Sequence, residues 1–146
     1  MRQIKFRAES ILDKSEGGGG LVEFELFEIG NWDSSCDVFY ADGVPCKISS
    51  ISQFTGLLDK NGKEIWEGDI VKTVDDGNCE VIFDGGRFGI EVSRASSTED
   101  GTEYYPEFMC LDYEGGYSAR ITFDEKNMKE EDVLEIIGNI FEHPNL

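Results

Sequence analysis

The sequence predicts an all-β fold with little helix: an N-terminal β lobe over residues 1–58, then a small SH3-like barrel or meander over residues 59–146. A single compact unit containing both is the alternative. Three observations carry this. Many short segments alternate apolar and polar residues, the period of a half-buried strand. Turn-forming groups punctuate them, among them Asp42-Gly43, Asn61-Gly62, Glu67-Gly68-Asp69 and Asp84-Gly85-Gly86. No stretch keeps the 3.6-residue period of a long amphipathic helix.

In chain order, Arg2 to Ala8 places Ile4, Phe6 and Ala8 on one face and Lys5 and Arg7 on the other, as in a strand. Gly17 to Gly20 form a flexible loop, because four consecutive glycines cost too much backbone entropy for regular structure. Leu21 to Ile29 reads as a strand in which Val22, Phe24 and Leu26 alternate with glutamates, and Phe27 breaks the pattern. Gly30 to Asp37 is expected as loop, with Trp32 in it. Val38 to Tyr40 is a short strand, Ala41-Asp42-Gly43 a turn by its Asp-Gly pair, and Lys47 to Phe54, carrying Ile48 and Ile51, leads into the next stretch.

Asn61-Gly62 is the pair that a type I′ hairpin prefers, since both central residues then need positive φ. Ile65 and Trp66 lie on the return strand, and Ile70 and Val71 open another after Gly68-Asp69. Strands are expected at 79–83, 88–92, 107–112 and 117–123. Ser93 to Glu103 is Ser/Thr-rich and acidic and reads as a loop. One helical turn is expected at 126–132. A last strand, Val133 to Phe141, ends before Pro144, which cannot donate to a ladder.

The chain has 146 residues, a net charge of -18, 39% hydrophobic residues and ten phenylalanines. A chain of this length buries about two-thirds of its unfolded surface, enough for a hydrophobic core. The charge argues against direct contact with nucleic-acid phosphates or with an anionic membrane surface. It fits a partner with a basic face, or carboxylates that only keep the chain dispersed. The N-terminus carries no apolar signal segment, and no apolar run reaches the length of a membrane helix. A cytoplasmic location follows as the expectation. The four cysteines, Cys36, Cys46, Cys79 and Cys110, are far apart, and His143 is the single histidine, so no metal site is expected.

Three segments resemble the YopX proteins of phages and prophages. They are Met1-Arg2-Gln3-Ile4-Lys5-Phe6-Arg7-Ala8, the run Gln53-Phe54-Thr55-Gly56-Leu57 through Lys60-Asn61-Gly62-Lys63-Glu64-Ile65-Trp66-Glu67-Gly68-Asp69-Ile70-Val71, and Glu135-Ile136-Ile137-Gly138-Asn139-Ile140-Phe141-Glu142-His143-Pro144. Glu9-Ser10-Ile11 departs from the pattern, where an aromatic usually follows the opening Arg-Ala. The resemblance implies a β-rich, phage-encoded protein in a bacterial host. It brings no catalytic residue, cofactor or metal with it.

The motifs of chemistry are sparse. The glycine run lacks the Lys-Ser/Thr of a phosphate loop, and the glycine after Asp59 stands too early for a calcium loop. Adjacent carboxylates such as Asp75-Asp76 point to opposite faces of a strand. The expectation is therefore a non-enzymatic protein-interaction module with no cofactor. Trp32 and Trp66 are its candidate contact residues, against a core role that weighs more for Trp66. The expected partner is an unidentified protein, with a basic host protein and a second copy of this chain as the two forms considered. The alternatives are an acidic decoy that mimics nucleic acid and a small carboxylate-dependent hydrolase.

Overall fold

The computed structural model describes residues 3–12, 15, 19–73, 77–114, 118–121 and 134–145. All regular structure there is β, apart from two one-turn 3-10 helices, Leu26–Glu28 and Ile48–Ser50. The helical turn expected at 126–132, most of the glycine run and the turn at 115–116 lie outside the described residues. Among the described residues no helix is long and apolar enough to cross a membrane. The chain divides into two compact units, Met1–Gly56 and Leu57–Leu146.

The first unit holds two antiparallel sheets. One is built from β1 (Phe6–Glu9), β2 (Leu21–Phe24) and the start of β6 (Ser52–Leu58), with β1 in the middle. The other is β3 (Ile29–Asp33), β4 (Val38–Ala41) and β5 (Val44–Lys47). Their inner faces supply Ala8, Phe24, Phe39, Ala41 and Cys46, all buried. The rings run on from one another: Phe6 stacks on Phe24 at 5.9 Å, and Phe24 meets Phe39 edge-on at 5.2 Å. Such offset and edge contacts are the arrangements that aromatic quadrupoles favour. The single strand expected over Leu21–Ile29 is two strands joined by a 3-10 turn. Trp32, expected in a loop, stands on β3.

The second unit holds one sheet in the order β13 (Glu135–Asn139), β8 (Asp69–Lys72), β9 (Asn78–Asp84), β10 (Arg87–Thr98), β11 (Gly101–Glu114) and β12 (Ser118–Ile121). It is an open antiparallel meander, with a single parallel bridge from Ser118 to Leu58 at the end of β6. It does not close into the barrel offered as one expectation, because β13 and β12 pair with β8 and β11 and not with each other. Ile65, Val71, Val81, Ile90 and Leu134 are fully buried in one core cluster. Each contributes about 1.5–3 kcal/mol over its exposed state.

A hairpin joins β6 to β7 (Glu64–Trp66). It is not type I′: Gly62 has φ +79°, but Asn61 does not have positive φ. Gly62 N–H closes the turn on the Asp59 carbonyl at 3.0 Å, and Asp59 N–H donates to the Lys63 carbonyl at 2.8 Å. That is a three-residue loop ending on a left-handed glycine. The Asp59 side chain selects it. One carboxylate oxygen accepts the N–H groups of Asn61 at 2.8 Å and Lys63 at 2.9 Å, an anchor that the Asn-Gly rule leaves out.

Residues 93–103, expected as a loop, are strand on both sides of a two-residue turn at Glu99-Asp100. β10 and β11 stay in register from Gly89↔Cys110 to Thr98↔Gly101. The ladder between β10 and β9 stops at Ile90↔Val81, and β12 joins β11 only at Leu111 to Glu114. Among the described residues, the segment from Glu91 to Phe108 is therefore a two-stranded arm.

Candidate interaction surface

The surface begins where β2 ends. Phe24 points inward, and an extended Glu25 leads into the 3-10 turn Leu26–Glu28. The Glu28 carboxylate accepts the Glu25 N–H at 2.7 Å, and the Glu28 N–H donates to the Glu25 carbonyl at 3.0 Å. The Glu28 carbonyl in turn accepts the Asp42 N–H at 3.0 Å. These bonds fix the turn at both ends. With its backbone held, Leu26 and Phe27 stand in solvent, 63% and 80% exposed. A phenylalanine that exposed gains nothing from water, and a pinned backbone denies it the chance to fold back.

Beside the turn lies a shallow depression of about 220 Å³, lined by Gln3, Lys5, Glu23, Phe24, Glu25 and Glu28. Lys5 is its one cation, 3.8 Å from Glu23, and its ammonium also lies over the Phe54 ring at 4.8 Å. Three glutamates against one lysine leave a negative dip next to an apolar knob.

Of the two tryptophans singled out from the sequence, Trp32 is 51% exposed. One side of its ring packs on Phe39 at 5.4 Å. The tilted contact anchors it to the first unit's core while about half of its surface stays in solvent. Trp66 is 3% exposed. It lies on β7 and offers a partner no surface, so the core role weighed against it is where the structure places it. Leu26 and Phe27 were missed by sequence reading. The signal was present: Phe27 is the residue that breaks the alternation of the preceding strand.

Groups with chemical potential elsewhere are engaged in holding the fold. Asp59, 1% exposed, spends its carboxylate on backbone N–H groups, including that of Ile136 at 3.1 Å. Asp69, also buried, accepts the Trp66 N–H at 2.8 Å. His143 Nδ1 accepts the Asn139 N–H at 3.3 Å. Cys36 is exposed, Cys46 and Cys79 are buried, and none of the four cysteines forms a disulfide. Burial pushes the Cys46 thiol above its ordinary pKa. Hydrogen bonds from the Ser35 hydroxyl and amide hold the Asp33 carboxyl below its ordinary value. Among the described residues no group of three or more His, Cys, Asp or Glu side chains is placed to hold a metal ion.

The stretches quoted above for their resemblance are structural here. Phe6 and Arg7 pair with Gln53 and Ser52. Lys60 N–H donates to the Leu134 carbonyl, and Ile140 N–H to that of Gly68, at 3.0 and 2.9 Å. These residues turn and join strands, and the exposed Leu26–Phe27 turn lies outside them. Compared with known families, residues 5–146 match the model described as YopX protein. No curated protein matches the chain.

Proposed function

The chain belongs to the YopX family, and from that premise we propose that it is a phage- or prophage-encoded interaction module, not an enzyme, acting in the cytoplasm of a bacterial host. Its contact is the Leu26–Phe27 turn. Its partner is a host protein with an apolar pocket for Phe27 and a basic side chain for the depression lined by Glu23, Glu25 and Glu28. The observation that carries this reading is an 80% exposed phenylalanine on a hydrogen-bonded turn. Aromatic anchors inserted in a pocket dominate binding energy at interfaces, and neighbouring charges set orientation and on-rate. Trp32, half-exposed in the same unit, extends the aromatic supply.

The other two readings draw less support. A nucleic-acid decoy needs a dense run of carboxylates to imitate one charge per roughly 1.7 Å, and here Leu26 and Phe27 interrupt the glutamates. A carboxylate-dependent hydrolase needs acidic groups free to act, and buried Asp59 and Asp69 are bonded to backbone amides.

Photo-crosslinking from position 27 in host lysate tests the proposal. One host protein should be captured, and its affinity should fall by roughly 30-fold for Phe27→Ala, the loss of a hot spot of about 2 kcal/mol. Glu25→Lys should weaken it further as salt is lowered. No captured protein, or a captured protein indifferent to both substitutions, would overturn the reading.

A further inference from the structure

We propose that the outer half of β10 is a strand-pairing edge for a second copy of this chain, giving a two-fold dimer through the arms. The site is separate from the Leu26–Phe27 turn and does not depend on it.

The direction of the backbone groups follows from the turns. Gly85-Gly86 is a two-residue hairpin that closes on Asp84↔Arg87. The closing pair of such a hairpin exchanges both hydrogen bonds, so Arg87 and Gly89 turn their N–H and C=O toward β9. The period of two carries that direction on to Ser93, Ala95 and Ser97. At the arm's tip, Thr98↔Gly101 closes a second two-residue turn, which puts the even positions of β10 toward β11. Pro106 lies opposite Ser93. It has no N–H to give β10, as this parity requires. Beyond Ile90 the β9 ladder has ended. Ser93, Ala95 and Ser97 therefore aim their backbone groups away from β11, at a side where the described residues place no strand.

The arm's two edges are unequal. On β11 the outward positions are Thr102, Tyr104 and Pro106. The proline deletes a donor, and Glu103 and Glu107 flank it, two devices that deter strand addition. On β10 the run Ser93-Arg94-Ala95-Ser96-Ser97-Thr98 holds no proline and no carboxylate, and its one charge, Arg94, is paired with Glu107 of β11 at 2.8 Å. A chain with a net charge of -18 repels its own copy over most of its surface. It can meet that copy only where acid is missing, and this edge is such a place. Antiparallel pairing about Ala95 sets Ser93 against Ser97 and Arg94 against Ser96, all free of like charge. A two-fold at Arg94 would oppose two guanidinium groups. Pairing of one edge with itself is closed, and blocked β11 edges stop growth beyond two copies.

The test uses the full chain in sedimentation equilibrium at about 5–200 μM, the range in which small interfaces associate. The wild type should pass from monomer to dimer mass, more readily at high salt, which screens the repulsion. Ala95→Pro should stay monomeric, Thr102→Pro should dimerise like the wild type, and so should Phe27→Ala. Because a proline can disturb the arm itself, backbone amide exchange of the wild type gives a second readout. The amides of Ser93, Ala95 and Ser97 should exchange at least tenfold more slowly at the highest concentration than at the lowest, and those of Thr102 and Tyr104 equally at both. A monomer throughout the range, or protection arising on Thr102 and Tyr104 instead, would overturn the proposal.

Discussion

The Asp59 carboxylate accepts the backbone N–H of Ile136 at 3.1 Å, across a separation of 77 positions. Its other oxygen holds the hairpin amides of Asn61 and Lys63, so one buried side chain shapes a local turn and seats β13 beside it. Asp59→Ala leaves all three donors without their acceptor. Water can reach the exposed hairpin amides but less readily that of Ile136, so the expected loss is about 2 kcal/mol. Asp59→Asn keeps one oxygen for the hairpin but turns an NH2 toward the Ile136 N–H, so it should recover part of that loss. Urea denaturation of the two variants checks the order. An unchanged midpoint for Asp59→Ala would mean that the bonds add nothing to stability.

Gly68 has φ +85° and sits against Ile140 and Phe141. A Cβ there would lie 3.3 Å from Phe141 Cε2. Gly68→Ala therefore meets a backbone penalty of about 1–2 kcal/mol for the left-handed conformation and a tight contact besides. Phe141→Ala in the same chain relieves the contact and leaves the backbone penalty. In a double-mutant cycle by thermal unfolding, the two losses should sum to more than the loss in the double variant. Strict additivity would place the whole cost in the backbone.

The β class was legible because strand alternation and turn glycines are local signals, and the segment from Ser52 to Lys72 shows both. What escaped depended on partners. Ser93 to Glu103 resembles a loop in composition, and forms a hairpin because Tyr104 and Tyr105 on β11 stand opposite Ala95 and Arg94 and supply the cross-strand contacts that its own small residues lack. Closure into a barrel is a matter of which strand ends beside which, and no periodicity encodes it. The candidate surface escaped for a related reason. Exposure of Phe27 follows from the next residue's carboxylate, Glu28, reaching back to cap the Glu25 N–H, a geometry that alternation alone reads as a flaw in a strand.

Glu135 accepts a short ion pair from Lys60, 2.8 Å between Nζ and Oε2. The Lys60 hydrogen bond, then its charge, hold the Glu135 carboxyl below its ordinary pKa. A depressed folded-state value means that the pair stabilises the fold above the usual glutamate value, about 4.3, and that this is lost as pH falls through the lower, folded value. Both side chains are partly exposed, so salt should weaken the effect. Following the Glu135 carboxyl carbon by NMR, Lys60→Met should move the titration midpoint upward toward the ordinary value. The acid limb of the melting temperature should become shallower in the same variant. A midpoint that does not move would assign the depression to something other than Lys60.

Trp32 and Trp66 differ in environment enough to be told apart in solution. Trp66 is buried, and Trp32 is half exposed with its ring tilted against Phe39. Trp32→Phe should leave blue-shifted emission that acrylamide quenches weakly, because a buried indole meets neither water nor quencher. Trp66→Phe should leave red-shifted, readily quenched emission. The stability effects run the other way. Trp66→Phe opens a cavity where a fully packed indole stood, and should cost about 1–3 kcal/mol. Trp32→Phe keeps an aromatic on Phe39 at an exposed site and should stay within about 0.5 kcal/mol. A binding partner that engages the first unit should then change the emission of the Trp66→Phe chain and leave that of the Trp32→Phe chain as it was. The reverse pattern would move the contact off the first unit altogether.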